Sequence, residues 1–369
     1  MAAPRPHGIG RYTEELTREL IRIAPTGCEV TGIVSAISAE QMAELNMLLP
    51  GIAGIQRSRL SRAALATAWR MGLGGIKGKG MVHSTSLLAP LSKHDRLNNE
   101  SDQIVVTIHD AVPWTHPETL PRSRAALHRA MTRRAHRFAD SVVVPSHAVA
   151  AQLGERFNFG DRMRVIGGAV SSKLQVPVDA DARAARFDLP ARYILSVGSL
   201  KPGKGLRELI SSLAHPEGTD LPLIIVGPDA WDGVSVASIA AEAGLSEGRV
   251  RTLGFLADAD LAVVLDRATV FVFPSLAEGF GLPVVEAFHF GTPVVHSDDP
   301  AVLEVAADAG ITVELANAEG YPGRLAEAIA SVVHNPSLAE RLRFAGLDRA
   351  AAFSWRDSAQ KVWQLHADL

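Results

Sequence analysis

The sequence predicts an α/β protein built from two doubly wound domains. Its 369 residues exceed what one hydrophobic core usually supports, so the chain must divide. Short apolar runs alternate with segments of helical period in both halves, as parallel strands joined by crossover helices do. Charge divides as well. Residues 1–170 hold 21 Lys plus Arg against 14 Asp plus Glu, a balance of +7, while residues 171–369 hold 16 against 26, a balance of −10. The two halves therefore face different partners.

Composition excludes several classes. Apolar residues at 47% and charged residues at 21% are those of an ordinary globular protein. Cys28 is the only cysteine, which rules out an internal disulfide and a cysteine-rich zinc site and suits a reducing compartment. No apolar run approaches the roughly 18 residues of a membrane span, and the first residues lack a charged-then-apolar leader, so a cytoplasmic protein is expected.

From the front, Tyr12 to Ile23 has helical period through Leu16, Leu20 and Ile23. Before it, a turn at Gly8 to Gly10 would let backbone approach a ligand closely, and Arg11 suits a phosphate; a plain helix start accounts for the same string. Between Leu45 and His94 there is no acidic residue, while Arg57, Arg59, Arg62, Arg70, Lys77, Lys79 and Lys93 are basic. Arg59, Arg62 and Arg70 share one helical face, and Arg122 to Phe138 forms a second basic helix without an acid. Such faces can dock peripherally on anionic lipid, each cation contributing about 1 kcal/mol, or can simply be solvated. Nucleic acid is not expected, because no recognition motif or aromatic stripe accompanies the charge.

Three strands follow in this half: Met81 to His83, Ile104 to Ile108, and Ser141 to Val144. The middle one is apolar on both faces and ends in His109-Asp110, where open α/β sheets meet ligands. His83 is read as structural. Ser146 caps a helix over Ala148 to Phe157, Val165 to Gly168 is a last strand, and Ser171 to Pro190 is the hinge.

Tyr193 to Val197 starts a new repeat that runs into Gly198-Ser199-Leu200-Lys201-Pro202-Gly203-Lys204-Gly205-Leu206, which is not a P-loop. Leu223 to Gly227 and Arg249 to Phe255 read as strands, and Asp258 as the cap of a helix through Ala268. The pairs Asp179/Asp181 and Asp258/Asp260 fall in linker and helix start, so no metal is assigned. Val270 to Phe273 is a buried strand, Glu278 to Gly281 a glycine-broken turn, Leu282-Pro283 a helix start, Gly291 its end, and Pro293 to His296 the next strand. Asp298, Asp299 and Pro300 precede a helix from Ala301, and further helices cover Pro322 to Val333, Ser337 to Phe353 and the terminus. The turn aims backbone N–H groups at an anion, with Glu278 and Glu286 beside it to accept hydroxyls. A phosphate joined to sugars fits that combination.

The string Glu278-Gly-Phe-Gly-Leu-Pro-Val-Val-Glu286 resembles the E-x(7)-E motif of retaining glycosyltransferases of the GT-B fold, family 4. The strings Gly8-Ile-Gly10-Arg11-Tyr12, His109-Asp110 and Phe353-Ser354-Trp355 are similar to that family too. The resemblance implies two Rossmann-like domains facing across a cleft, an acceptor-side domain over 1–175 joined by the terminal helix 354–369, and a nucleotide-sugar domain over 186–353. It implies Gly10 and Arg11 against the donor phosphates, His109 on the donor sugar, and Lys204 on the diphosphate. Ser199 occupies an alternative arginine site, and Gly203 stands where many members have arginine, a loss that Lys201 could offset. Glu278 would hold sugar hydroxyls, Glu286 the ribose, and Gly279, Phe280, Gly281 and Leu282 the diphosphate or sugar. Catalysis would rest on His109, Lys204 and Glu278, with no cofactor or metal and a nucleotide sugar as co-substrate.

The family also has a first strand before the Gly8 segment. Its absence here suggests that the recorded start is internal to a longer reading frame. The overall pattern is most like bacterial mannosyltransferases that build cell-surface glycans from GDP-mannose on a glycan or lipid-linked acceptor. A UDP-sugar transferase, a nucleotide-sugar epimerase and an inactive nucleotide- or glycan-binding protein remain open at this point.

Overall fold

The computed structural model describes residues 8–73, 80–95 and 102–369. The chain forms two compact units, one taking the chain up to Gly168 together with Ser354–Leu369, the other Ala169–Phe353.

In the first unit α1 (Gly8–Arg22) precedes a parallel pair, β1 (Thr31–Val34) and β2 (Gly54–Arg57), with α2 (Ala39–Leu48) between them and α3 (Arg62–Arg70) after. A separate parallel sheet has the order β3 (Gly80–Ser84), β4 (Asp102–Thr107), β5 (Ser141–Val144), β6 (Met163–Val165). Over it lie α4 (Val112–Thr115), α5 (Arg122–Phe138) and α6 (His147–Gly154). Val106, Ile108, Val142 and Val144 pack with Met131, Ala135, Val149 and Leu153 in one core. Ser146 caps α6, its hydroxyl accepting the Val149 N–H at 3.2 Å.

The second unit holds α7 (Ala180–Arg186), β7 (Ile194–Val197), α8 (Leu206–Ser212), β8 (Leu223–Val226), a short hairpin of β9 (Ala230–Trp231) and β10 (Val234–Ser235), and α9 (Val236–Glu242). Then come β11 (Val250–Gly254), α10 (Asp258–Asp266), β12 (Val270–Phe273), α11 (Leu282–His289), β13 (Val294–Ser297), α12 (Pro300–Ala306), β14 (Ile311–Val313), α13 (Tyr321–His334) and α14 (Pro336–Ala350). Its six-stranded sheet is parallel, in the order β11-β8-β7-β12-β13-β14. Both faces are covered, which explains strands that are apolar throughout. Phe271 and Phe273 of β12 point to the core shared with α10, α11 and α12, and Val270 and Val272 to the core shared with α8, α9 and α13.

The last helix, α15 (Trp355–Asp368), belongs to the first unit. Trp355, Ala359, Val362 and Leu365 recur at helical spacing and are buried. The Trp363 indole N–H donates to Leu20 O of α1 at 3.2 Å, and Ser358 Oγ to Gly167 O at 2.9 Å. Near its end His366 Nδ1 donates to Gln103 Oε1 at 3.0 Å, while the Gln103 amide donates back to His366 O at 3.3 Å. The His366 ring stands edge-on to His83, whose Nε2 bonds Thr107 Oγ1 at 3.0 Å.

Several local readings change. Gly8 and Gly10 lie inside α1 and form no turn, since the amphipathic period extends back through them. Arg59 precedes α3, whose hydroxyl cap is Ser61, so the basic face is shorter than its sequence suggested; Lys77 and Lys79 lie outside the described residues. The hinge contains α7, and α10 is preceded by Ala257, with Asp258 already helical. Strands β1, β2 and β14 are not evident in the sequence because they are short and only partly buried.

Burial pushes His83 down to about 3 and His366 down to about 4, so both are neutral near pH 7. Histidines with depressed folded pKa values contribute stability that is present above about 6.5 and lost as pH falls through the folded values. For His366 alone this is on the order of 3 kcal/mol. Replacing it by glutamine, which cannot charge, should make the fall in unfolding free energy between pH 6.5 and 4 shallower; chemical denaturation at several pH values measures the slope, and an unchanged slope refutes the assignment.

Candidate active site

The strand order of the second unit reverses between β7 and β12. From β7 the chain moves outward to β8 and β11, and from β12 the other way to β13 and β14. The loops leaving the carboxyl ends of β7 and β12 therefore meet at the crevice where such sheets bind ligands. Ser199 and Lys204 lie on the first loop, Glu278 to Leu282 on the second.

Glycine geometry brings the two loops together. Gly205 has φ +65°, and a Cβ there would lie 1.9 Å from Pro274 O. Only glycine allows that approach. The Leu276 N–H also donates to Gly203 O at 2.8 Å, and the Lys204 N–H closes a turn on Lys201 O at 3.1 Å. The Lys204 ammonium consequently donates to Glu278 Oε1. Gly203 has φ +88°, so arginine at that position would cost about 1–2 kcal/mol of backbone strain in this loop. The Lys201 ammonium lies over the Trp231 ring at 4.8 Å.

The turn after β12 is held from below. The Glu278 N–H donates to Asp299 Oδ2 at 3.2 Å, and Asp299 Oδ1 accepts the Ala301 and Val302 N–H groups at 3.0 and 3.1 Å. Asp299 is buried, and that burial pushes its carboxyl up to about 6; the Glu278 charge adds to the rise and the three N–H donors oppose it. Gly281 at φ +95° opens α11, which has proline in its first turn and no side-chain cap. Helix geometry leaves the first N–H groups without intrahelical partners, an arrangement that suits an anion. Glu286 is buried one turn further along, at 4% exposure, and the Phe280 ring stands edge-on against Phe353 at 5.6 Å. Ser199 is half-buried where β7 ends, and Gly279 is buried within the turn.

The first unit assembles a second group. His109 follows β4, and its Nε2–H donates to Thr85 O at 2.8 Å, which leaves Nδ1 as an acceptor. Burial lowers its pKa, so the ring is neutral at pH 7. Tyr12 of α1 packs edge-on against it at 4.8 Å and against Trp355 at 5.4 Å, which places Gly10 and Arg11 on the helix turn beside that contact. The candidate residues thus gather as two sets, one in each unit.

Tyr12, Gly205 and Asp299 were not singled out from the sequence. Only Asp299 carried a local signal, as an acidic residue directly before a helix-opening proline. Three of the four carboxylates in the Asp-x-Asp strings are taken up by arginines: Asp179 by Arg183, Asp181 by Arg267, and Asp260 by both Arg183 and Arg186. Among the described residues no cluster of three His, Cys, Asp or Glu side chains is arranged to hold a metal ion.

The family model "Glycosyltransferase Family 4" matches residues 6–173, and "Glycosyl transferases group 1" matches residues 178–348. O-antigen chain mannosyltransferase B of Escherichia coli is 30% identical over 277 residues, covering 71% of this chain and 69% of that one. The chain belongs to glycosyltransferase family 4. An alpha-maltose-1-phosphate synthase of Mycobacterium tuberculosis is 35% identical over 181 residues, 46% of each chain. Anabaena Alr3699/HepE, solved with UDP and glucose, superposes with a TM-score of 0.72 at 19% identity, covering 100% of this chain and 98% of that one, and so shares the fold. The family 4 chain has the GT-B fold and is a hexosyltransferase.

Because the folded pKa of Asp299 is raised, its contribution to stability is fully present below about 3.8 and is lost as pH rises through about 6. Asparagine at this position resembles the protonated form and does not ionise. Asp299→Asn should therefore compare more favourably with the parent at pH 7 than at pH 4, by at most about 3 kcal/mol. Urea unfolding at both pH values measures this, and an equal difference at the two would mean that Asp299 ionises normally.

Proposed function

We propose that this family 4 enzyme is a retaining transferase that moves mannose from GDP-mannose to a glycan or lipid-linked acceptor. The observation that carries the reading is the Lys204–Glu278 pair at the switch point, beside the uncapped start of α11 and with Glu286 buried behind it. The incoming diphosphate takes the Lys204 ammonium, and Glu278 turns to the sugar hydroxyls it can accept. Glu286 receives the ribose hydroxyls, while the Phe280, Gly281 and Leu282 amides meet the diphosphate or sugar. Lys204 then stabilises charge as it develops on the leaving diphosphate. That role would otherwise fall to a metal ion, so the reaction proceeds without one.

Each carboxylate of the turn has a partner to hold, which supports front-face transfer assisted by the leaving phosphate over a carboxylate nucleophile. By the family resemblance, His109 is assigned to the donor sugar, and Gly10 and Arg11 to a donor phosphate. The printed name of the Escherichia coli relative supports mannose. The Anabaena structure, with its bound UDP and glucose, favours a UDP-sugar as the second reading. Among the described residues no helix is long and apolar enough to cross a membrane. We place the enzyme in the cytoplasm, with the arginine face of α5 able to rest on an anionic bilayer.

Titration of thermal stability with GDP, UDP and ADP, with and without EDTA, tests the donor. Ligand at 100 times its Kd adds about 2.7 kcal/mol, and the expected result is a GDP shift that survives EDTA. A shift with UDP alone moves the donor to the second reading, and no shift with any nucleotide overturns the proposal. Lys204→Ala should lower kcat about 10²- to 10³-fold with a smaller effect on KM. An unchanged turnover removes Lys204 from the mechanism.

A further inference from the structure

Asp299 does more in the second unit than a helix cap requires. A cap at the start of α12 needs one side-chain oxygen, and asparagine supplies it as well as aspartate does. Asp299 Oδ1 meets that need, accepting the Ala301 and Val302 N–H groups at 3.0 and 3.1 Å. The other oxygen, Oδ2, accepts the Glu278 N–H at 3.2 Å, 21 positions back along the chain. An asparagine turned to cap α12 would present its NH2 group to that N–H, donor against donor. A carboxylate is costly to bury, and Asp299 is only 3% exposed. What the carboxylate adds over a neutral cap is the hold on Glu278.

That hold falls on the residue whose side chain faces Lys204. The segment before it is fixed by other groups: the Tyr321 hydroxyl donates to Pro274 O at 3.2 Å, Ser297 Oγ to Ser275 O, and the Leu276 N–H to Gly203 O at 2.8 Å. After it, Gly281 opens α11. The neighbouring Asp298 is directed elsewhere, its Oδ1 accepting the Leu315 N–H at 2.9 Å. Glu278 thus has two tethers, Asp299 at its backbone and the Lys204 ammonium at its carboxylate. In the mechanism proposed above, the Lys204 tether passes to the diphosphate just when the sugar needs Glu278. We infer that Asp299 is a positioning residue for Glu278, whose backbone its Oδ2 holds so that the Glu278 carboxylate stays aimed at the hydroxyls of the transferred sugar once Lys204 has turned to the diphosphate. The inference rests on the transferase reading for the role of Glu278, while the contact itself can be tested without substrate.

Asp299→Asn separates the two duties, since it keeps the cap and removes the second acceptor. In amide hydrogen exchange at pH 7 the Glu278 N–H should exchange about tenfold faster than in the parent, with Ala301 and Val302 unchanged. With GDP-mannose, kcat/KM should fall about tenfold or more, as misplaced catalytic groups do, while GDP affinity, which in this reading rests on Lys204, Glu286 and the start of α11, matches the parent's. In a Glu278→Ala background the same substitution should have no further effect on kcat/KM, because the side chain it positions is gone. Asp299→Ala, which also loses the cap, should be less stable than Asp299→Asn yet no slower once folded. Unchanged exchange at Glu278 overturns the inference. So does a parent-like kcat/KM in Asp299→Asn, or a loss as large in the Glu278→Ala background as in the parent, which would make Asp299 a cap and nothing more. A parent protein without turnover of GDP-mannose or UDP-glucose refutes the transferase reading instead, and the exchange comparison still decides whether Asp299 holds Glu278.

Discussion

Everything in the second unit's site depends on the contact between two strand-end loops. Gly205 lies against the Pro274 carbonyl so closely that no side chain fits, and Gly203 O takes the Leu276 N–H. A parallel sheet brings the carboxyl ends of β7 and β12 side by side, but it does not fix the height or angle of the loops that leave them. The glycine contact does, and the Lys204–Glu278 pair results from it. A lysine and a carboxylate that would otherwise be separate solvated charges become one preorganised unit. In the proposed mechanism a diphosphate enters it by exchange, replacing one anion by another at the same cation.

A second layer fixes the turn itself. Asp299 joins the backbone of Glu278 to the first turn of α12, so the motif and the next crossover helix move together. Burying a carboxyl there is costly unless its hydrogen bonds are satisfied, and three backbone N–H groups satisfy them. The charge lies beneath the motif and never reaches the surface. Ser196 donating to Val272 O at 2.8 Å and Tyr321 to Pro274 O at 3.2 Å tie the same strand ends from either side.

The first unit solves a different problem. Its sheet is in two parts among the described residues, a pair and a set of four, and α15 supplies packing that the strands do not. Tyr12, held between Trp355 and His109, links that helix to the strand end that presents the histidine. Neutral buried histidines at the far end of α15 make the same docking sensitive to acid.

The sequence alone determined much of this. Continuous apolar strands such as Val270–Phe273, the proline and glycine at the ends of α11, and the two glutamates eight positions apart are local features, readable because short-range stereochemistry produces them. The fold class, the family and the residues of the motif were legible for that reason. Short half-buried strands such as β1 and β2 were not, because their pairing partner, and not their own composition, makes them strands. Nor could the sequence show that Lys204 meets Glu278 across 74 positions, that Gly203 is left-handed, or that Asp299 lies under the turn. Those depend on distances between segments remote in the chain, and only the packed sheet decides them.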